Sequence, residues 1–139
     1  MTQDNQQNLI QFDNEQAPES NPKKILLAED DASVRRFLEV VLIRAGYAVA
    51  AAEDGAIALQ KAFETRFDLV ILDAVMPNMS GYEAGRILRA HPNFAGVPLV
   101  ILSGLEPDGN FDADAHLLKN ANMQEELLSV ISRLLETEN

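Results

Sequence analysis

Apolar residues follow two alternating patterns along the chain from residue 23 onward. Short continuous apolar runs occupy residues 25–28, 48–52, 69–72, 99–102 and 115–118. Runs of this length are typical of strands that are buried on both faces. The segments between them carry apolar residues at helical spacing. The sequence therefore predicts an α/β fold in which helices cover both faces of a five-stranded parallel sheet.

The helical segments have recognisable starts and apolar stripes. A first helix repeats apolar residues at i, i+3, i+4, i+7 and i+8 from Val34 and ends at Gly46. A second begins near Asp54, and Ser80 with Glu83 forms a capping box that opens a third. The stripe of a last helix consists of Leu127, Leu128, Ile131, Leu134 and Leu135.

One connection is too short to repeat this pattern. Residues 104–114, between the fourth and fifth strands, are close to the minimum of roughly 10 to 12 for a parallel crossover, and they contain two glycines and a proline. We predict a loop with at most one helical turn. The fourth crossover helix is thus expected to be shortened or absent, which would leave one flank of the sheet thinly covered.

Right-handed crossovers between five strands favour the flavodoxin-like, doubly wound order 2-1-3-4-5. In sheets of this kind ligands bind beyond the carboxyl ends of the strands, beside the switch in strand order. Functional side chains are therefore expected where the strands end.

Charge and composition exclude several classes of function. The chain has 139 residues, with 11 Lys and Arg against 22 Asp and Glu, and a formal net charge of −11. Such a protein repels phosphate backbones and anionic lipid, so we expect no nucleic-acid partner and no membrane partner. No apolar stretch is long enough to cross a bilayer, and cysteine is absent, which excludes disulfides and thiolate sites. We expect a cytoplasmic protein.

The first 22 residues differ from the rest in composition. Residues 1–22 are rich in Gln, Asn and acids, lack Lys and Arg, and show no sustained period. We expect a disordered polar and acidic tail, followed by one folded domain over residues 23–139.

Acidic residues gather where the predicted first and third strands end. Glu29 and Asp30 follow the first strand, and Asp73 follows the third, its neighbour in the predicted order. Like charges held together require a cation, and oxygen ligands suit Mg²⁺. Ser103 and Lys119 add a hydroxyl and an ammonium at the ends of the last two strands. A carboxylate nucleophile, a metal site, a hydroxyl and a lysine are the groups that phosphoryl transfer requires.

Four segments carry a more specific signal: ILLAEDDASVRRFL, VILDAVMPNMSGYE, VPLVILSG and HLLK, in this order. Together they resemble the receiver domain of bacterial two-component response regulators. The resemblance implies that Asp73 accepts a phosphoryl group from the phosphohistidine of a sensor histidine kinase or phosphotransfer protein. It also implies that Mg²⁺ binds to Asp30, Asp73 and the backbone carbonyl of Val75, and to Glu29 through water.

The resemblance assigns two further groups and reveals two departures. Ser103 would hydrogen-bond one phosphoryl oxygen in the activated state, and Lys119 would neutralise another. His116 stands where the family has a switch residue, normally Tyr or Phe, and Asn120 stands where a cis proline normally follows the lysine. A cis bond before Asn120 would cost about 2.5 to 4 kcal/mol. We expect a trans bond there, which leaves Lys119 open to displacement.

The leading hypothesis is a stand-alone response regulator in a phosphorelay, which signals by binding a downstream protein, since no output segment follows the last helix. Self-phosphorylation and slow autodephosphorylation would be its only chemistry, so it would not be an enzyme. The resemblance implies that Val75 and Leu105 border the site, and since neither side chain can hydrogen-bond a water, the acyl phosphate is expected to be long-lived. The alternative is a pseudo-receiver that docks partners without phosphorylation. An aspartate-dependent phosphatase ranks last, because Val75 occupies the place of its second acid.

Overall fold

Five parallel strands form a single sheet in the order β2-β1-β3-β4-β5, as the sequence predicts. The computed structural model describes residues 21–105 and 111–136. The expected tail over residues 1–22 lies almost wholly outside them. The strands are β1 (Lys24–Ala28), β2 (Ala48–Ala52), β3 (Leu69–Asp73), β4 (Leu99–Ser103) and β5 (Ala115–Leu118).

Four α-helices and one short 3₁₀ helix connect or follow the strands. They are α1 (Ala32–Arg44), α2 (Gly55–Glu64), α3 (Gly81–Ala90), a 3₁₀ helix (Pro92–Phe94) and α4 (Met123–Glu136).

Polar side chains cap the helix starts where the sequence predicts them. The carboxylate of Asp54 accepts a hydrogen bond from the backbone N–H of Ile57 at the start of α2. The capping box of Ser80 and Glu83 opens α3. After α1 the chain passes through Gly46 with φ of +103°, a conformation that glycine adopts without steric cost.

The two faces of the sheet carry separate apolar clusters. Alternate side chains of β1, such as Ile25 and Leu27, pack on one face with α1 and α4. The intervening residues, such as Leu26 and Ala28, pack on the other face with α2 and α3. This two-sided burial explains why the strands read as continuous apolar runs rather than as alternating ones.

The crossover from β4 to β5 differs from the others. Its described residues, 104–105 and 111–114, contain no helix, and residues 106–110 lie outside the described part of the chain. The prediction of at most one helical turn there stays a prediction. The fourth α-helix of the structure, α4, is present and follows β5.

An aromatic side chain packs at the flank that the sequence predicts to be thinly covered. Phe111 is buried against α3 at Gly85, where an added Cβ would lie 2.7 Å from the Phe111 ring. Arg89 of α3 donates hydrogen bonds to the Asp114 carboxylate (2.9 Å) and the Asp112 carbonyl (3.1 Å). The Asp114 carboxylate also accepts from the backbone N–H of Leu99 (2.7 Å). Phe111 and this hydrogen-bonded group cover part of the flank, whereas three of the four residues of β5 are half-buried or exposed.

Among the helices that the structure describes, none is both long enough and apolar enough to cross a bilayer.

Candidate functional site

Three carboxylates meet at the carboxyl end of the sheet. Asp73 is the last residue of β3, and Glu29 and Asp30 directly follow β1, the strand paired with β3. Glu29 and Asp73 are buried, whereas Asp30 is exposed. One carboxylate oxygen from each residue lies within 4.8 Å of the other two. The strand order thus brings together acids that are more than 40 positions apart in the chain.

Lys119 reaches into this cluster from the end of β5. Its Nζ lies 3.0 Å from Oε1 of Glu29 and 3.0 Å from Oδ1 of Asp73. The backbone N–H of Lys119 donates to the carbonyl of Ser103 (2.9 Å), which ties the residue to the end of β4. The described peptide bonds are all trans, as expected before Asn120. The expected displacement of Lys119 does not occur, because the backbone bond to β4 holds the lysine without a cis peptide.

Burial and charge shift the ionisation of the central pair. Burial, followed by the neighbouring Glu29, raises the pKa of Asp73 to about 7, although contact with Lys119 acts in the opposite direction. Burial lowers the pKa of Lys119, but hydrogen bonds and charge from Glu29 and Asp73 outweigh this effect and raise it overall. Lys119 therefore stays protonated at neutral pH, and the site holds more negative charge than one ammonium neutralises.

The start of α3 packs against the backbone of Asp73. A Cβ built on Gly81 would overlap the Asp73 carbonyl, and the Gly81 N–H donates to the carbonyl of Ala74 (3.0 Å). Asn78, with φ of +70°, donates from its side-chain amide to the Asp54 carboxylate (3.2 Å). These contacts fix the chain that follows Asp73, and only glycine fits at position 81.

Ser103 is buried at the same edge of the sheet, but its hydroxyl already has partners. It donates to the carbonyl of Leu105 (2.9 Å) and accepts from the N–H of the same residue (3.0 Å). An incoming oxygen would have to compete with this local turn.

The remaining predicted residues lie on β5 and in the segments that follow β3 and β4. His116 is opposite Ile101 in the β4–β5 pairing, with its ring 6.0 Å from that of Tyr82. Its Nε2 is buried and has no hydrogen-bond partner among the described residues. The side chains of Val75 and Leu105 are exposed, at 72% and 74% of their full area.

Sequence reasoning missed Arg35, which contacts the backbone of the acidic turn. Its Nη1 donates to the carbonyl of Glu29 (2.9 Å) and lies 3.4 Å from that of Asp30. Nothing in the apolar pattern of α1 distinguishes Arg35 from its neighbour Arg36, so no sequence signal pointed to it.

Comparison with known proteins places this geometry in a family. Residues 25–131 match the family model described as the response regulator receiver domain. The chain belongs to this family. The receiver fold also agrees with solved structures: a chemotaxis protein of Vibrio cholerae, CheY4, superimposes with a TM-score of 0.77 at 32% identity, covering 83% of this chain and 100% of CheY4.

Two further relatives bear on the site of this receiver domain. TrrA of Thermotoga maritima, a response regulator solved in complex with Mg²⁺ and BeF, superimposes with a TM-score of 0.74 at 32% identity, covering 81% of this chain and 99% of TrrA. The receiver protein CpdR of Brucella abortus is 36% identical over 118 residues, which cover 81% of this chain and 97% of CpdR.

Other curated relatives are longer proteins. The receiver domain matches 48% of the transcriptional regulatory protein ResD of Bacillus subtilis and 16% of a gliding motility regulatory protein of Myxococcus xanthus. It therefore spans about half or less of these relatives, so their whole-protein activities do not transfer to it directly.

Proposed function

We propose that this receiver domain takes a phosphoryl group from a phosphohistidine onto Asp73, with Mg²⁺ bound, and passes the signal on by binding another protein. The carrying observation is the position of Lys119, 3.0 Å from both Glu29 and Asp73. A lysine held between two carboxylates supplies the positive charge that a transferred phosphoryl group needs on one side. The acids supply the nucleophile and the metal ligands.

The residues present fit a magnesium ion. Three carboxylates offer oxygens within 4.8 Å of one another, and hard oxygen ligands are those that Mg²⁺ prefers. Burial in the first place, and Glu29 after it, raise the pKa of Asp73 to about 7, so a bound cation would favour its ionised form. Asp30, Asp73 and the Val75 carbonyl would hold the ion, with Glu29 acting through water. When bound, the ion neutralises charge on the phosphoryl oxygens.

The side chains of the site account for the transfer step. An oxygen of the ionised Asp73 carboxylate forms a bond to phosphorus while the P–N bond to the donor imidazole breaks. The imidazole nitrogen keeps the electron pair and takes a proton from solvent. Lys119 moves from the carboxylate to a phosphoryl oxygen, and Ser103 exchanges its bond to Leu105 for another phosphoryl oxygen.

The proposal includes the remaining expectations from the sequence. The donor is a sensor histidine kinase or phosphotransfer protein, the recipient of the signal is a downstream protein in the cytoplasm, and the chain has no activity on a separate substrate. Its support is family membership together with the carboxylate and lysine geometry. Whether the chain acts alone or within a larger protein does not alter the chemistry at Asp73.

Phosphorylation of the purified protein tests this function. Wild type and Asp73→Asn are incubated with acetyl phosphate, with and without Mg²⁺, and their intact masses are measured. We expect wild type to gain one phosphoryl group only when Mg²⁺ is present, and the Asn variant to gain none. Lys119→Met, which removes the ammonium, should accept the group at least tenfold more slowly, since electrostatic stabilisation of this kind is worth about that much or more.

A second function, a docking module that works without phosphorylation, is favoured by His116, since its buried Nε2 has no partner in the described residues. Absence of any mass gain in wild type with Mg²⁺ would support this alternative and contradict the phosphoacceptor role of Asp73.

A further inference from the structure

We propose that Arg35 is a positioning residue for the metal site: it holds the backbone of the acidic turn, residues 29–31, so that the carboxylates of Glu29 and Asp30 converge on that of Asp73. The proposal rests on the magnesium-dependent function proposed above. It assigns to α1 a part in metal binding that the sequence does not reveal.

Arg35 contacts the backbone of all three acids in the turn. Its guanidinium donates to the Glu29 carbonyl at 2.9 Å and lies 3.4 Å from that of Asp30. Its backbone N–H donates to the Asp31 carbonyl at 2.8 Å. The backbone bond to Asp31 is the ordinary helical one and remains in every variant of this half-buried residue. The contacts specific to the arginine side chain are those with the carbonyls of Glu29 and Asp30.

The turn needs such a restraint because its side chains repel one another. Three acids stand in sequence, and the buried Asp73 carboxylate lies within 4.8 Å of those of Glu29 and Asp30. Without a restraint, the turn would relieve the repulsion by moving Asp30, which is exposed, into solvent. The guanidinium contacts the carbonyls on both sides of the Asp30 Cα, and this limits the movement of the Asp30 side chain. Partners of this indirect kind orient metal ligands and commonly change metal affinity tenfold or more.

Arg35 acts on the backbone and not by pairing with the carboxylates. In the part of the chain that the structure describes, the arginine and lysine residues in ion pairs are Arg36, Arg89 and Lys119, and Arg35 is not among them. A purely electrostatic role and a positioning role therefore predict opposite changes in cation affinity when Arg35 is removed. If Arg35 contributed only positive charge, removing it would strengthen cation binding, because one repulsive charge would be gone. If it positions the ligands, removing it weakens cation binding.

The test is a Mg²⁺ titration of wild type, Arg35→Met, Arg35→Lys and Arg36→Met, followed by amide NMR at constant ionic strength. Arg36 is the matched control, since its side chain is 75% exposed and its ion-pair partner is Glu39. We expect Arg35→Met to bind Mg²⁺ about tenfold more weakly than wild type. Arg35→Lys keeps the charge and a donor nitrogen on a shorter side chain, so its Mg²⁺ affinity should fall between them. Arg36→Met should bind as tightly as wild type or slightly more tightly.

A kinetic readout separates positioning from general loss of structure. With acetyl phosphate as donor, the Mg²⁺ concentration for half-maximal phosphorylation should rise about tenfold in Arg35→Met, while the rate at saturating Mg²⁺ stays within about twofold of wild type. Urea unfolding of each variant establishes that it is folded. If Arg35→Met does not fold, Arg35→Lys decides the question through the same two measurements.

The outcomes distinguish this inference from the proposed function. Equal or tighter Mg²⁺ binding by a folded Arg35→Met overturns the positioning role and leaves the receiver function intact. If only Arg35→Lys folds, binding equal to that of wild type overturns it in the same way. Failure of wild type itself to bind Mg²⁺ contradicts the proposed function, and the role of Arg35 with it.

Discussion

Asp73 shows how a single buried residue connects stability to function. Burial and the neighbouring Glu29 raise its pKa to about 7, so without a metal ion the folded protein holds a proton there that the unfolded chain releases near pH 4. Protonation of Asp73 therefore stabilises the folded state at low pH, and this stabilisation is lost as the pH rises through about 7. The burial that raises the pKa of Asp73 therefore destabilises the metal-free protein at neutral and alkaline pH.

We expect Asp73→Asn to be more stable than wild type at pH 8 without divalent ions, by on the order of 2 to 4 kcal/mol. The difference should shrink toward pH 5, where wild-type Asp73 is protonated. Urea unfolding at several pH values measures both effects. Addition of Mg²⁺ should stabilise wild type far more than the Asn variant. Parallel pH dependences for the two proteins would contradict the assignment of the titrating group to Asp73.

We expect Val75 and Leu105 to set the lifetime of the phosphorylated state. Both side chains are exposed beside the site, and neither can hydrogen-bond a water that attacks phosphorus. Val75→Asn should shorten the half-life of the acyl phosphate by roughly threefold to tenfold, a fraction of the effect of a fully positioned base. The half-life is measured by the loss of the phosphoryl mass after the donor is removed. Ile43→Asn, an equally polar change at an exposed site on α1, is the control and should leave the half-life unchanged.

At the scale of elements, α3 and the crossover to β5 are fitted to one another at Gly85. An alanine there would favour the helix by roughly 0.5 to 1 kcal/mol in isolation, but its Cβ would lie 2.7 Å from the Phe111 ring. The ring is held further by Tyr82, at 6.1 Å between centroids, and by the Arg89 guanidinium, 6.0 Å above it. The close approach therefore decides whether the substitution raises or lowers the free energy of unfolding.

We expect Gly85→Ala to destabilise the protein by about 1 to 2 kcal/mol, because the buried Phe111 ring must shift to make room for the added methyl group. In a Phe111→Ala background the same substitution should stabilise by about 0.5 to 1 kcal/mol, since only the helix preference remains. Urea unfolding of the four proteins forms a double-mutant cycle. A destabilisation that is equal in both backgrounds would show that the contact between Gly85 and Phe111 is not its cause.

The same elements show how far the sequence could lead. Continuous apolar runs indicate buried strands, and all five strands were predicted to within one residue at each end. The convergence of Glu29, Asp30 and Asp73 followed from the strand order, because adjacent parallel strands end at one edge. The contacts of Arg35 and Phe111 could not be predicted from the sequence. Each depends on a side chain reaching across to another element, and an isolated glycine in a helix was the one available hint of such a close approach.

At the scale of the whole molecule, the parallel sheet gives its two ends different properties. The carboxyl end collects the acids and Lys119. The amino end of β4 and β5 is joined to α3 by Arg89 and Asp114, whose carboxylate also accepts the N–H of Leu99. The contacts that hold the shortened crossover are therefore separated from the reacting groups by the length of a strand.

That separation has a genetic consequence. In a selection for signalling, substitutions at Arg89 or Asp114 would behave as temperature-sensitive alleles, with normal signalling at low temperature. Substitutions of the acids would abolish signalling at every temperature. Substitutions from the two classes should change the free energy of unfolding additively, since neither end of the strands needs to deform when the other is damaged.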